Sequence, residues 1–257
     1  MDPTPHTDLT RRDLLRASAA GTLALAGVAA STPQNVCAAA SDLKPNATVL
    51  FQGDSITDAG RQRDRQGPND IRGLGFGYAS MIATGLLGNH PALALQCHNR
   101  GISGNKVPDL ASRWDEDALD LNPDVLSILI GVNDVWHKLA GKYDGNVNEY
   151  ETGYAALLER THTALPETTL VICEPFILPC GVVKPDDWLP EINAHRASAK
   201  RVADAVGAIW VPFQSMFDEA ISEDTPPEYW SPDGVHPSVP GHALMARTWL
   251  DATGFGM

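Results

Sequence analysis

The chain has 257 residues, 43% of them hydrophobic and 20% charged, a length and balance that suit one folded domain and exclude a disordered tail or a peptide scaffold. Nineteen basic against 32 acidic residues give a formal charge of -13, whose field repels phosphate backbones and anionic lipid headgroups and argues against nucleic acid as a partner. Four cysteines, without a CxxC pair or zinc-ribbon spacing, are too few for a disulfide framework.

The first 40 residues differ from the rest. Arg11-Arg12 and Leu14-Leu15-Arg16 lead into an Ala/Gly-rich stretch from Ala19 to Ala30, the layout of a removable leader with small residues around its cleavage point. Those 12 residues fall short of the roughly 20 that a membrane-spanning helix requires. The run Thr10 to Arg16 resembles a bacterial twin-arginine export address, so the expectation is a leader over 1–40, contact with the export machinery, and a periplasmic or secreted single domain over 41–257. Cys37 follows Asn35-Val36, which lacks the character of a lipoprotein cleavage box. Cleavage after Ala40 leaves Cys97, Cys173 and Cys180, an odd number; Cys97 and Cys173 lie in apolar runs and read as small buried hydrophobes.

Beyond the leader, short apolar runs alternate with helical patterns. Thr48–Phe51, Ala92–Cys97, Val125–Ile130, Thr169–Cys173 and Ala208–Val211 read as strands covered on both faces, because they lack strict polar alternation. Phe76–Leu87, Val107–Leu119, Asn148–Leu165, Ile192–Val206 and the shorter Met216–Ile221 read as helices, followed by a terminal helix through Ala243–Leu250 with Pro240 near its start. Alternation of this kind predicts an α/β sandwich. The stretch Arg61 to Arg65, followed by Gln66-Gly67-Pro68, reads as an exposed, salt-bridged loop.

Chemistry concentrates at two places. The first apolar run meets Gly53-Asp54-Ser55-Ile56-Thr57-Asp58, which sets a hydroxyl at the C-terminal edge of a sheet; Thr57 replaces the second glycine of a Gly-x-Ser-x-Gly elbow, so a simple α/β-hydrolase elbow is disfavoured. Near the C-terminus, Asp233-Gly234-Val235-His236 offers a base and its orienter. A serine hydroxyl is weakly nucleophilic at neutral pH, so a role for Ser55 requires an imidazole to take its proton and a carboxylate to hold the right tautomer. The cluster Asp233, His236 and His242 lacks a zinc motif, and no metal or cofactor is expected.

Four segments then stand in order: Gly53-Asp54-Ser55-Ile56, Asn99 to Asn105, Gly131-Val132-Asn133-Asp134, and Asp233-Gly234-Val235-His236. Together they resemble the four blocks of the SGNH/GDSL hydrolases over about residues 46–250, with Ile56 in place of the usual Leu. The resemblance implies a three-layer α/β/α sandwich with a five-stranded parallel sheet, flavodoxin-like. It implies a triad of Ser55, His236 and Asp233, and an oxyanion hole from the N–H groups of Ser55 and Gly104 and the amide of Asn133. Gly104 fits the family position better than Gly101. Taken alone, Gly104 also reads as a turn glycine and Asn133 as the cap of a helix beginning near Val135; Asp54 and Asp134 read as loop supports.

Within the family, the blocks around Ser55, Asn99–Asn105 and Gly131–Trp136 look similar to bacterial carbohydrate esterases that deacetylate xylan. The substrate this implies is an acetylated carbohydrate, with lipid or other acyl esters, and a noncatalytic polysaccharide-binding module, as the alternatives. Trp136, Glu174, Trp188 and Trp230 are candidate substrate contacts, since an indole near the site can cover the apolar face of a sugar. Packing within loops is the competing reading for each tryptophan, and the sequence leaves the oligomeric state open.

Overall fold

Five short segments, four of them carrying Val, Leu or Ile and the second reading Gln-Cys-His-Asn, pair into one parallel sheet: β1 (Thr48–Gly53), β2 (Gln96–Asn99), β3 (Val125–Leu129), β4 (Thr169–Cys173) and β5 (Ile209–Val211), in the order β2-β1-β3-β4-β5. The computed structural model describes residues 43–256, and the leader expected over 1–40 lies outside them. The helices are, in chain order, α1 (Ser55–Asp58), α2 (Ile71–Leu74), α3 (Tyr78–Asn89), α4 (Val107–Ser112), α5 (Trp114–Asp117), α6 (Val132–Leu139), α7 (Val147–Ala164), α8 (Pro185–Ala205), α9 (Phe213–Ala220), α10 (Pro227–Trp230) and α11 (Val239–Thr253).

Side chains of a strand alternate between faces, and the two halves of the core follow that period. Val49 and Phe51 of β1 pack with Ile82 and Leu86 of α3, Phe213 and Phe217 of α9, and Trp249 of α11. Leu50, between them, joins Leu126 and Ile128 of β3 in the opposite layer, against Leu110 of α4, Trp114 of α5, Tyr154 of α7 and Val202 of α8. Burying each such large side chain contributes about 1.5–3 kcal/mol, which is why strands covered on both faces need no polar alternation. The buried indoles keep their N–H groups bonded: Trp249 Nε1 donates to Ser127 Oγ at 3.0 Å and Trp114 Nε1 to Thr161 Oγ1 at 3.0 Å.

The expected three-layer architecture and strand set are therefore present, with shifted boundaries. The second strand starts at Gln96 because Pro91–Leu93 forms a 3-10 turn, and Ala94 at φ +49° breaks the run. The helix expected over Val107–Leu119 divides into α4, α5 and a 3-10 turn at Leu119–Leu121. In α8 the helix begins at Pro185, well before Ile192, and carries Pro190 within its early turns. No helix among the described residues is long and apolar enough to cross a membrane.

In this strand order the chain leaves β1 toward β2 on one side and continues through β3 on the other, so the strand order reverses between β1 and β3. A crevice opens at such a switch point outside the carboxyl ends of the strands. Ser55 follows β1 and Asn133 follows β3, which places both at that crevice.

Candidate active site

Strand β1 delivers the serine through a tightly specified corner. Asp54 is the N-cap of α1, and its Oδ1 accepts the Ile56 N–H at 2.9 Å. Ser55 is the first residue of α1, so its own N–H has no acceptor within the helix and is free to serve a ligand. Burial pushes the Asp54 carboxyl up to about 7, against the lowering effect of the Ile56 N–H. Beside β3, burial likewise lifts Asp134 to about 7. Both acids sit within the frame of the site.

The Ser55 Oγ lies 2.9 Å from His236 Nε2, across 181 residues of sequence. On the other side of the ring, His236 Nδ1 is 2.7 Å from Asp233 Oδ2. The remaining oxygen, Asp233 Oδ1, accepts the backbone N–H groups of Val235 at 2.9 Å and His236 at 2.7 Å. Partial burial works against the charge of Asp233, but the His236 ring and these two N–H groups outweigh it and hold its pKa below the ordinary carboxylate value. An ionised Asp233 can only accept, so Nδ1 carries the hydrogen and Nε2 is left to accept from the serine. The turn is closed by Ser231 Oγ, which donates to the His236 carbonyl at 2.9 Å.

The segment after β2 supplies the opposite wall. Gly101 lies against the backbone of α1, where a Cβ would come within 2.4 Å of Asp58 N, and its N–H is taken by Asn99 Oδ1 at 2.9 Å. Gly104 instead holds φ +83°, a turn conformation that suits glycine, and its N–H has no acceptor among the described residues. Asn133 does not cap its helix: Gly131 occupies that position and α6 starts at Val132. The Asn133 amide reaches across to the Asn105 carbonyl, Nδ2 to O at 3.2 Å, which uses one of its two hydrogens and leaves the other. The Ser55 and Gly104 N–H groups have no acceptor among the described residues and Asn133 keeps a spare amide hydrogen, while the Ser55 hydroxyl has an acceptor in His236.

Of the proposed substrate contacts, Trp136 reaches the triad, its ring centroid 5.9 Å from that of His236. Trp188 is not a loop residue but belongs to the first turn of α8, 4% exposed and packed under Trp136 at 5.7 Å. Trp230 ends α10 with its Nε1 donating to the Ala220 carbonyl at 3.2 Å, and its ring packs on the core. Glu174 spends Oε2 on the Gln214 N–H at 3.0 Å, in the first turn of α9, and burial raises its pKa. Among the described residues, neither Trp230 nor Glu174 hydrogen-bonds a triad side chain.

Other expectations resolve similarly. Arg61 is not an exposed loop residue; it is 8% exposed, with Nε donating to the Gly101 carbonyl at 2.7 Å. Cys97, Cys173 and Cys180 are buried free thiols. His242 is buried, its Nδ1 accepting the Tyr78 N–H at 3.1 Å, and burial lowers it to about 4. Asp58, which the sequence left unassigned, and Arg61 both bond to the Asn99–Asn105 segment, Asp58 through Ser103 and Arg61 through Gly101; their short spacing after Ser55 was the available signal.

A family model for the GDSL-like lipase/acylhydrolases matches residues 51–244, which includes every block of this site. The chain belongs to that family. Members are similar along nearly their whole length. An acetylxylan esterase of Geobacillus stearothermophilus is 34% identical over 212 residues, covering 80% of this chain and 94% of that protein. The crystal structure of Axe2, an acetylxylan esterase from the same organism, superposes with a TM-score of 0.74 at 32% identity, covering 83% and 97% of the two chains. A GDSL-like protein from Parabacteroides merdae is 48% identical, with a TM-score of 0.81 and coverage of 83% and 98%. Solved forms of Axe2 include catalytic mutants in which a serine or an aspartate is replaced by alanine. As a GDSL-family member with this chemistry, the chain is a serine hydrolase of carboxylic esters.

Proposed function

We propose that this hydrolase removes acetyl groups from carbohydrate, with acetylated xylooligosaccharides as its substrates, through an acetyl-serine intermediate. The observation that carries the reading is the 2.9 Å contact of Ser55 Oγ with His236 Nε2, in a chain that shares 34% identity with an acetylxylan esterase over 94% of that protein. A solved neighbour at 32% identity is described as an acetyl-xylooligosaccharide esterase, which narrows the alcohol part of the ester further.

In this reading Ser55 attacks the acetyl carbonyl while His236 takes its proton, and Asp233 holds the imidazole and stabilises the imidazolium that forms. Negative charge grows on the carbonyl oxygen, where the N–H groups of Ser55 and Gly104 and the Asn133 amide receive it; each donor contributes about 3 kcal/mol to the transition state. Collapse of the tetrahedral intermediate requires a proton on the departing sugar oxygen, and His236 supplies it. Water activated by the same imidazole then hydrolyses the acetyl-enzyme to acetate. No step calls on a cofactor.

Because His236 protonates the leaving oxygen, the sugar lies on the His236 side of the carbonyl. The wall on that side is Trp136, and beyond it opens a hollow of about 410 Å³ lined by Trp136, Leu139, Val182, Lys184, Asp187 and Trp188. An indole face with a carboxylate and an ammonium nearby suits a pyranose ring. Trp136 covers the sugar and Trp188 supports Trp136 from beneath. The twin-arginine-like leader fits a polymer-derived substrate met after export.

The test is acetate release measured across acetylated xylooligosaccharides, acetylated pectin, acetylated chitooligosaccharides and long-chain acyl esters. The reading predicts fastest turnover on the xylooligosaccharides and little on long acyl chains. A preference for long acyl esters makes the protein a lipid esterase; sugar binding without any ester turnover makes it a binding module.

A further inference from the structure

Asp58 lies three residues after Ser55 on the same short helix, and none of the steps above uses it. It is 3% exposed overall, yet one of its oxygens gathers three donors. Oδ2 accepts the Ser103 N–H at 3.0 Å, the Ser103 Oγ–H at 2.9 Å and Arg63 Nη2 at 2.6 Å. Burial opposes the charge, but Arg63 and Ser103 outweigh it, and the carboxyl is held below its ordinary pKa. It therefore remains an acceptor-only anion through the neutral range.

Ser103 immediately precedes Gly104, so the same peptide segment that Asp58 grips carries the Gly104 N–H. Further bonds run between the same two segments. Arg61 Nε holds the Gly101 carbonyl at 2.7 Å, the Ile102 N–H donates to the Gly53 carbonyl at 3.0 Å, and Asn99 Nδ2 donates to the Thr57 carbonyl at 2.6 Å. Those bonds fix the start of the oxyanion segment. Asp58 takes hold of it next to the donor itself, at Ser103, by a carboxylate rooted one helical turn from the nucleophile.

We infer that Asp58 is a positioning residue that sets the Gly104 N–H relative to Ser55, clamping the oxyanion segment to the nucleophile's helix through Ser103. It touches no reacting atom. The inference rests on the assignment of Gly104 as an oxyanion donor. Arg63 has a secondary part: its side chain is half exposed, and its bond helps keep Asp58 ionised while the two Ser103 bonds do the clamping.

Transition-state donors act only when placed where charge develops, and a displacement near 1 Å can cost about 10²-fold. Loosening one anchor of a segment that keeps its other bonds should cost less. Asp58→Ala is expected to lower kcat for acetyl ester hydrolysis about 30-fold, with KM within about twofold of the parent. Phosphonylation of Ser55 by a serine-directed phosphonate, whose phosphoryl oxygen needs the same donors, should slow by a similar factor. Asp58→Asn keeps an oxygen facing Ser103 and should recover kcat to within about threefold, and Arg63→Ala should stay within about twofold. Ser103→Ala removes one of the two bonds without disturbing a buried charge and keeps the test available if Asp58→Ala does not fold; it should lose about threefold in kcat.

A folded Asp58→Ala enzyme with parental kcat and phosphonylation rate would overturn the inference. So would a loss confined to KM, or a loss in kcat that leaves phosphonylation unchanged. The oxyanion-site reading is checked separately, through its one side-chain donor: if Asn133→Ala leaves kcat unimpaired, it is that reading which falls, whatever Asp58 does.

Discussion

The two walls of the site are built differently. On the side proposed to hold the oxyanion, Asp54, Asp58 and the Asn99–Asn105 segment are laced by hydrogen bonds to the corner that carries Ser55, and Asp54 and Asp58 are 1% and 3% exposed. On the base side, the side chains of His236 and Asp233 are 43% and 36% exposed, held by a three-residue turn and one another. The difference follows from the chemistry. Donors for a developing oxyanion work only if they are already in place and need not move, whereas the base must meet a leaving group and then a water molecule, which requires an open face.

Replacing the reacting atom breaks both walls' function at once. Ser55→Ala should lower kcat by roughly 10⁴-fold or more, with an unchanged melting temperature, as read by acetate release and thermal unfolding. A folded variant with normal turnover would reject this nucleophile. On the base side, Asp233→Asn should cost about 10³- to 10⁴-fold, because an amide no longer selects the Nδ1–H tautomer. On the oxyanion side, Asn133→Ala should cost about 10²- to 10³-fold, nearly all in kcat. If Asn133→Ala acted through KM instead, the pre-placed wall would be a binding surface and the contrast would fail.

Trp136→Ala should raise KM for acetylated xylooligosaccharides up to about tenfold while leaving a small acetyl ester within about threefold, the scale of one aromatic contact. Equal losses on both substrates would place Trp136 in the chemistry rather than the sugar hollow. A pH-dependent effect separates two histidines six residues apart. His236 is open to solvent, whereas His242 is buried and lowered to about 4 from 6.5. As the pH falls from about 6.5 to 4, the unfolded chain binds a proton at His242 that the folded chain refuses, so the contribution of this residue to stability declines. His242→Asn should therefore lose a pH-dependent term of up to roughly 3 kcal/mol, seen as a stability difference from the parent that changes between pH 4.5 and 7 in urea titrations. A difference that stays constant would place the shift elsewhere.

Much of this was legible in the sequence because the signals are local. Apolar runs without alternation marked the strands, and the Gly53–Asp58 and Asp233–His236 segments announced their chemistry through residue type and spacing. Helix limits were less legible where local rules conflict: Pro190 argues against a helix that packing of Trp188 and Ile192 nevertheless sustains from Pro185 onward. Asparagine favours caps, which gave Asn133 a competing reading beside its oxyanion role, and only the position of Gly131 shows the helix starting earlier. For Asp58 and Arg61 the spacing after Ser55 was the one trace in the sequence. Their partners, Ser103 and Gly101, lie 45 and 40 residues away, and it is the pairing of β1 with β2 that brings the two segments together.

The measurement that bears most directly on the account is the mass of the enzyme after reaction with a serine-directed phosphonate, followed by peptide mapping. Ser55 activated by His236 predicts one phosphonyl group per chain, mapped to Ser55, with labelling lost in His236→Ala. A label on another residue, or none on an enzyme that is turning over acetyl esters, would contradict it.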